Sequence, residues 1–194
     1  MLEESKSTLP KKLNVGCGFN KISGYINIDS EKCVSPDLVL DITIKRLPFS
    51  NNSIGEILFF HCIEHIQKEK HYEIIKEFSR VLKLGGKLYI SYPEFWECAK
   101  RWRANLGGKR NFWEATLFGR QLHTGDFHVC AMDSSELRVL LFECGFTDVV
   151  TKPEKLEEYY SVTRAIKTGE LAPNYETLVK EDTKAMIVKV GGQK

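Results

Sequence analysis

The sequence lacks the features that mark membrane, secreted and nucleic-acid-binding proteins. Its 194 residues contain no uninterrupted apolar run of about 18 residues, the length that a membrane span requires. The N-terminal sequence MLEESKSTLPKK has no apolar core of the kind found in signal peptides. The formal net charge is only +2, which gives no general attraction for nucleic acid. We therefore expect a cytoplasmic protein that has no membrane partner and does not bind nucleic acid.

Paired cysteines are absent as well. None of the six cysteines belongs to a C-x-x-C pair, and their spacing matches neither a zinc finger nor a disulfide framework. We expect reduced thiols and no metal site.

Short apolar runs and amphipathic stretches alternate along the chain. The first amphipathic stretch, 68–84, is expected to form a helix that Gly85 and Gly86 stop. The second begins at Asp133, with Glu136 completing a capping box, and runs to Gly145. The predicted strands are 12–16, 25–29, 37–42, 54–60, 87–92, 146–151 and 184–190.

This alternation predicts an α/β fold with a doubly wound, mainly parallel sheet. The length suits a single domain over 1–194. Segments 94–130 and 152–182 are interpreted as insertions that decorate this domain. The second insertion contains Tyr159, Tyr160 and Tyr175, which could cover a pocket or mediate pairing of two chains.

Chemically useful residues follow the first four predicted strands, where ligands bind in such sheets. A glycine-rich turn lets backbone N–H groups approach an anionic group. A carboxylate after the second strand can accept from ribose hydroxyls, and one after the third from an exocyclic amine. Each residue alone could equally be a turn residue or a helix cap. The residues are Gly16, Cys17 and Gly18, then Asp29, then Asp41 and Ile42, then His61 and Cys62.

Taken together, these motifs resemble class I S-adenosylmethionine (SAM)-dependent methyltransferases, in particular small bacterial members of the type 11 branch. KLNVGCG resembles their first motif, YINIDS their ribose-binding acid, and DITIKRLPFSNNSIGEILFFHCIEHI their "D…LPF…S…EI…LEH" run. RVLKLGGKLYISYP and DSSELRVLLFECGF are similar to their later elements. The resemblance spans about residues 12–150 and implies a Rossmann-like sheet with an antiparallel last strand.

The resemblance also implies SAM as the cofactor and a place for each of the residues named above. Gly16, Cys17 and Gly18 would wrap the methionine portion. Asp29, followed by Ser30, would hold the ribose. Asp41 and Ile42 would meet the adenine, with His61 beside the sulfonium.

The first crossover is shorter than in the family. Only residues 19–24 separate GCG from YINID, whereas parallel neighbours normally need a dozen or more residues. We expect an extended crossover in place of the usual helix. Asn20 or Lys21 could then bind the amino-acid end of SAM.

The segment HTGDFH supplies the candidate general base. We expect His128, oriented or assisted by Asp126, to remove a proton from an oxygen or nitrogen acceptor. The alternative is a loop histidine that caps local backbone.

Aromatic and basic residues alternate between residues 94 and 120, which suits a small anionic acceptor such as a nucleotide-linked sugar or glycan precursor. A single-stranded nucleic acid would also fit, but the near-neutral charge argues against it. The alternative is ordinary packing of the insertion beneath a solvated basic face. The residues are Trp96, Lys100, Arg101, Trp102, Arg103, Lys109, Arg110, Phe112, Trp113 and Arg120.

Three other functions compete with this interpretation. HCIEH matches the H-x-x-E-H zinc peptidase motif, but that motif belongs inside a helix and here follows a strand. A nicotinamide enzyme would need a third glycine where the sequence has Lys21. A SAM-binding protein without catalysis, in a regulatory or scaffolding role, stays open, as does the oligomeric state.

Overall fold

The computed structural model describes residues 11–105, 110–153 and 160–169. Seven strands form one sheet in the order β3-β2-β1-β4-β5-β7-β6. The strands are β1 (Lys11–Val15), β2 (Ile26–Asp29), β3 (Leu38–Val39), β4 (Ile54–Phe60), β5 (Leu82–Pro93), β6 (Phe146–Pro153) and β7 (Tyr160–Lys167). The described α-helices are α1 (Lys68–Val81), α2 (Phe95–Arg103), α3 (Arg110–Phe118) and α4 (Ser134–Glu143).

The sheet is parallel except at β7, which pairs antiparallel with both β5 and β6. This confirms the predicted Rossmann-like, mainly parallel architecture with one antiparallel strand. The strand order reverses at β1, with β2 on one side and β4 on the other. Because parallel neighbours share a direction, the carboxyl ends of β1 to β5 meet at one edge, which we call the carboxyl edge.

The antiparallel strand lies elsewhere in the chain than predicted. Tyr160–Lys167 falls in the segment interpreted as an insertion, so that interpretation is wrong for β7. Its sequence YSVTRAIK alternates half-buried and buried residues, the period expected of a strand. The predicted strand 184–190 lies outside the described residues.

The boundary between α1 and β5 also differs from the prediction. The helix ends at Val81 and the strand begins at once at Leu82, five residues earlier than the predicted start at residue 87. Gly85 and Gly86 lie inside β5, at an irregularity where the pairing with β4 jumps from Leu82 to Lys87. Gly85 has a φ of 74°, so the glycines accommodate a bulge rather than a helix stop.

The core lies between the sheet and its helices. Phe78 of α1 packs edge-on against Phe59 of β4, with 5.1 Å between ring centroids. Asp133 caps α4 as predicted, accepting from the backbone N–H groups of Ser135 and Glu136. The Glu136 side chain instead pairs with Lys68 at 2.6 Å. Within the described ranges, no helix is long and apolar enough to cross a membrane.

The short first crossover is confirmed. Residues 16–25, all of them described, contain turns but no helix, yet β1 and β2 pair in parallel. A buried amide holds the crossover: the Asn27 side-chain oxygen accepts from Asn14 (3.0 Å) and from the backbone N–H of Ile22 (2.8 Å). Its nitrogen donates to Asp37 (2.8 Å). Side-chain hydrogen bonds therefore brace a connection that in other sheets of this type is a packed helix.

Candidate functional site

The GCG turn begins the carboxyl edge, directly after β1. Gly16 and Gly18 have φ values of 66° and 49°, a region that L-residues with side chains rarely adopt. A Cβ on Gly16 would lie 2.4 Å from the Cys62 sulfur, whereas one on Gly18 would meet nothing within 4 Å. Cys17 is buried and its backbone N–H donates to the Ile28 carbonyl. The turn therefore presents backbone rather than side chains at the edge.

Asp29 stands at the end of β2, beside the GCG turn. One carboxylate oxygen accepts from the Gly18 N–H at 2.8 Å, and the other from the Glu31 N–H at 2.9 Å. A carboxylate has about four acceptor sites, so these two bonds orient the group and leave acceptor capacity for a ligand. Ser30 follows and is exposed.

Asp41 and Ile42 follow β3 at the same edge. One Asp41 oxygen accepts from the backbone N–H and the hydroxyl of Thr43, at 2.8 and 2.6 Å. This is the turn-capping alternative that the sequence left open. Ile42 is half-buried and packs against the core.

Asn20 and Lys21 lie in the short crossover, and both are exposed. The Asn20 backbone holds the turn, since its N–H donates to the Cys17 carbonyl and its carbonyl accepts from Asn14. Lys21 donates to the Ser35 carbonyl at 3.1 Å. Of the two, Asn20 has its side chain uncommitted among the described hydrogen bonds.

His61 follows β4 with an unusual backbone conformation, a φ of 49°. Its Nε2 lies 3.1 Å from the Ser91 hydroxyl and its Nδ1 3.7 Å from Glu64. The ring stacks edge-on against Tyr160 at the start of β7, with centroids 4.6 Å apart. A non-glycine residue held at positive φ is a feature of functional sites.

A cavity of about 320 Å³ opens beside His61. Asp126 and His128 of the HTGDFH segment line this cavity. Tyr160 also lines it and contacts His61, which lies at the carboxyl edge. The lining residues are His65, Phe112, Ala115, Thr116, Gly119, Arg120, Asp126, His128 and Tyr160. Tyr159 and Tyr175 lie outside the described residues.

His128 and Asp126 both line this cavity, but the predicted partnership between them is not formed. The contacts of the Asp126 carboxylate run to Arg120 at 2.9 Å and His123 at 3.5 Å. Arg120 holds the pKa of the Asp126 carboxyl below its ordinary value. The carboxylate beside His128 is that of Glu64. Burial lowers the pKa of His128, Glu64 opposes the change, and His65 adds to it.

The structure assembles one group that the sequence did not predict. Donor atoms of Glu64, His65 and His128 all lie within 4.8 Å of one another. Glu64 is buried, and its Oε2 has no hydrogen-bond partner among the described residues. The signal available in the sequence was HCIEH, but the motif gave no indication that a histidine 63 residues further on would join it.

Some aromatic and basic residues of the first insertion pack together and others line the cavity, while Trp96 is exposed. Trp113 is buried with Cys98, and Trp102 packs against them, as the packing alternative requires. Phe112 and Arg120 line the cavity. The side chains of Lys109 and Arg110 lie outside the described part of the chain.

A larger cavity of about 780 Å³ lies along α1, and Ile42 and Thr43 are among its lining residues. Charged side chains of α1 form one wall, including Lys70, Glu77 and Arg80, and Lys167 lies at the opposite edge of the sheet. It contains neither the GCG turn nor a histidine, so we assign the site to the carboxyl edge.

Known proteins give independent evidence on the family. The sequence profile of a family described as "Methyltransferase domain" matches residues 13–90. No curated protein sequence matches the chain. The structure is similar to that of a SAM-dependent methyltransferase from Methanosarcina mazei, with 21% identity, a TM-score of 0.58, and coverage of 81% of this chain and 92% of that one.

Two further solved structures resemble the chain. One is a SAM-dependent methyltransferase from Archaeoglobus fulgidus, with 13% identity, a TM-score of 0.62, and coverage of 82% of this chain and 87% of that one. The other is phosphoethanolamine N-methyltransferase 2 from Haemonchus contortus in complex with SAM, with 11% identity, a TM-score of 0.53, and coverage of 81% and 48%. At these identities the likeness concerns the fold.

Proposed function

We propose that this chain is a class I SAM-dependent methyltransferase and that it methylates an oxygen or nitrogen of a small acceptor bound in the cavity of about 320 Å³. The observation that carries the proposal is the junction at His61. His61 directly follows β4 at the carboxyl edge, and its ring stacks edge-on against Tyr160, which lines the cavity. Transfer requires the acceptor and the methyl donor to be held in contact.

The residues at the carboxyl edge fit SAM. Gly16, Cys17 and Gly18 offer close-approaching backbone for the methionine portion. Asp29, oriented by two backbone N–H groups, retains acceptor capacity for the ribose hydroxyls. When bound, SAM supplies an electrophilic methyl group on sulfur.

The other edge residues are proposed to complete the cofactor site. Asp41 and Ile42 would contact the adenine, through the carboxylate oxygen that does not hold Thr43 and through the apolar side chain. Ser30 would lie beside the ribose and Asn20 beside the amino-acid end. His61 would face the sulfonium.

His128 is proposed as the general base. Burial lowers its pKa, so the ring is neutral at pH 7 and can accept a proton there. Transfer would form the bond between the acceptor atom and the methyl carbon, break the bond between that carbon and sulfur, and release demethylated SAM. The proton of the acceptor atom would move to a ring nitrogen of His128. Asp126 acts at a distance, by holding Arg120, which lines the cavity.

The cavity lining supports a sugar-containing, anionic acceptor. Phe112 and Tyr160 offer faces on which a sugar ring can stack, Thr116 offers a hydroxyl, and Arg120 a cation. The volume has room for the sugar end of a nucleotide-linked sugar or glycan precursor. The six cysteines are thiols and form no disulfide in the described residues, and we propose that the enzyme acts in the reducing cytoplasm.

The proposal is tested by measuring release of demethylated SAM against a panel of nucleotide-linked and phosphorylated sugars. With the acceptor that turns over, His128→Ala should lower kcat about 10²–10⁴-fold, the usual contribution of a general base. The inflection of the pH–rate profile should lie below the ordinary histidine pKa of about 6.5. SAM affinity should stay unchanged.

His123→Ala is the matched control, because His123 lies in the same segment with its side chain 68% exposed. It should retain near-normal turnover. Full activity of His128→Ala with the true acceptor would show that another group, or water, takes the proton.

A further inference from the structure

We propose that Glu64, His65 and His128 form a binding site for a divalent transition-metal ion. Their donor atoms all lie within 4.8 Å of one another. The donor set is two imidazoles and one carboxylate, which suits zinc and the neighbouring divalent transition metals. This inference goes beyond the methyl transfer proposed above and does not depend on the acceptor.

The buried carboxylate is the observation that points to a ligand. Glu64 is 2% exposed, and its Oε2 has no hydrogen-bond partner among the described residues. Its Oε1 lies 3.7 Å from the His61 ring, beyond hydrogen-bond distance. A buried carboxylate oxygen without a partner is costly, and a bound cation would satisfy it.

His65 is held as a metal-binding histidine usually is. His65 Nδ1 lies 2.9 Å from the Phe127 carbonyl, so this nitrogen carries the proton and Nε2 is left to bind an ion. The His128 ring packs edge-on against the His65 ring, with 4.7 Å between the ring centroids. A carbonyl on the second ring nitrogen fixes the tautomer and orientation of metal-binding histidines.

The backbone around the group keeps the three residues together. Val129 donates to the Glu64 carbonyl at 2.9 Å, joining the HTGDFH segment to the turn after β4. His71 donates to the Ile63 and Ile66 carbonyls on either side of Glu64 and His65. Zinc bonds of about 2.0–2.2 Å place neighbouring ligands roughly 3.4 Å apart, so small side-chain rotations close the site.

Three protein ligands leave at least one coordination position open, as in catalytic rather than structural zinc sites. The group lines the acceptor cavity through His65 and His128. A ring nitrogen that binds a metal cannot also accept a proton, so metal binding and the base function of His128 exclude each other. For this reason the test measures binding and not turnover.

Zn²⁺ is titrated into chelator-treated, dialysed protein and followed by calorimetry, and Co²⁺ is followed by its visible spectrum. We expect one ion per chain, and a Co²⁺ spectrum without the charge-transfer band of a thiolate ligand. Glu64→Gln, His65→Ala and His128→Ala should each weaken Zn²⁺ binding about 100-fold or more. Loss of a residue that only hydrogen-bonds a metal ligand already weakens binding about 10–100-fold. His123→Ala and Cys33→Ser should bind as the wild type does.

The thermal stability of each variant is also measured with and without SAM. Stabilisation by SAM shows that the carboxyl edge is folded, independently of the metal. Three results would each overturn the metal site. The wild type could fail to bind Zn²⁺, the three variants could bind it as tightly as the wild type does, or the Co²⁺ spectrum could show a thiolate band. A metal-free, chelator-treated protein that methylates no acceptor would contradict only the proposed function, whatever its affinity for Zn²⁺. The two proposals therefore fail separately.

Discussion

At the scale of single residues, the cofactor edge depends on backbone that side chains would obstruct. Gly16 illustrates this, because its φ is 66° and a Cβ would lie 2.4 Å from the Cys62 sulfur. Gly24 also has a positive φ, 81°, but a Cβ there would meet nothing within 4 Å. Comparing alanine substitutions at Gly16 and Gly24 therefore separates the free-energy cost of backbone strain from that of close contact.

Gly16→Ala should lower the free energy of unfolding by about 2–4 kcal/mol, the sum of left-handed strain and overpacking. Gly24→Ala should cost only about 1–2 kcal/mol, from strain alone. In a Cys62→Ala background the extra cost of Gly16→Ala should fall but not disappear, because the Cβ of residue 62 would still lie 2.8 Å away. Urea denaturation measures all three, and equal costs for the two glycine variants would show that the contact with Cys62 is unimportant.

Asp29→Asn should weaken SAM binding about 10–100-fold, because hydrogen bonds to a charged group contribute roughly 1.5–3 kcal/mol. The amide keeps one oxygen to accept from backbone, so the fold should survive. Calorimetric titration with SAM measures the effect. The control is Asp148→Asn, a partly exposed carboxylate paired with Arg164, and unchanged affinity in Asp29→Asn would remove Asp29 from the cofactor site.

The sequence indicates the position of a residue best where one structural rule determines it. The GCG turn, Asp29, Asp41 and His61 could be placed together because the ends of parallel strands share an edge. The proximity of His128 to Glu64 could not be predicted, because it depends on the chain returning to the turn after β4. Asp126 lies two residues from His128, but proximity in sequence did not bring their side chains together.

At the scale of elements, hydrogen-bonded polar groups hold the segments that carry the site. The turn after β4 is fixed by His71, which is buried and bonds the Ile63 and Ile66 carbonyls. Burial lowers the pKa of His71, so the ring stays neutral in the folded protein. Its proton uptake on unfolding links the stability of the turn to pH.

The free energy of unfolding should fall as the pH drops below about 6.5, where unfolded histidine takes up a proton. The loss arises between that value and the lower folded pKa, because the unfolded chain then binds the extra proton. Its limiting slope is about 1.4 kcal/mol per pH unit. His71→Gln should flatten this slope relative to wild type, while His123→Ala should leave it unchanged, and identical slopes for all three proteins would contradict the linkage.

Element boundaries were harder to predict than elements. The periodicity of α1 was evident, but Gly85 and Gly86 indicated a helix stop and proved to be a bulge in β5. A glycine pair suits both structures, and only pairing with β4 decides between them. The alternation in Tyr160–Lys167 is present in the sequence, but the pairing partners that make it an interior strand are distant in the chain, so the segment also suits an insertion.

For the molecule as a whole, the ends of four strands lie together at the carboxyl edge. Cofactor binding there should therefore stabilise the entire fold. SAM at about 100 times its Kd should add about 2.7 kcal/mol to the free energy of unfolding. For a chain of this size that raises Tm by about 5–10 °C. Thermal unfolding with SAM, its demethylated product and NAD measures this, and a shift with NAD but not SAM would refute SAM as the cofactor.

The interior position of β7 has a consequence for synthesis on the ribosome. β7 completes the sheet between β5 and β6, although it follows both in the chain. Until Tyr160–Lys167 has been translated and emerged, nascent β5 and β6 each present an unsatisfied backbone edge, a template for association between chains. A message truncated just before codon 160 should therefore yield aggregates, whereas one ending after codon 169 retains every described strand.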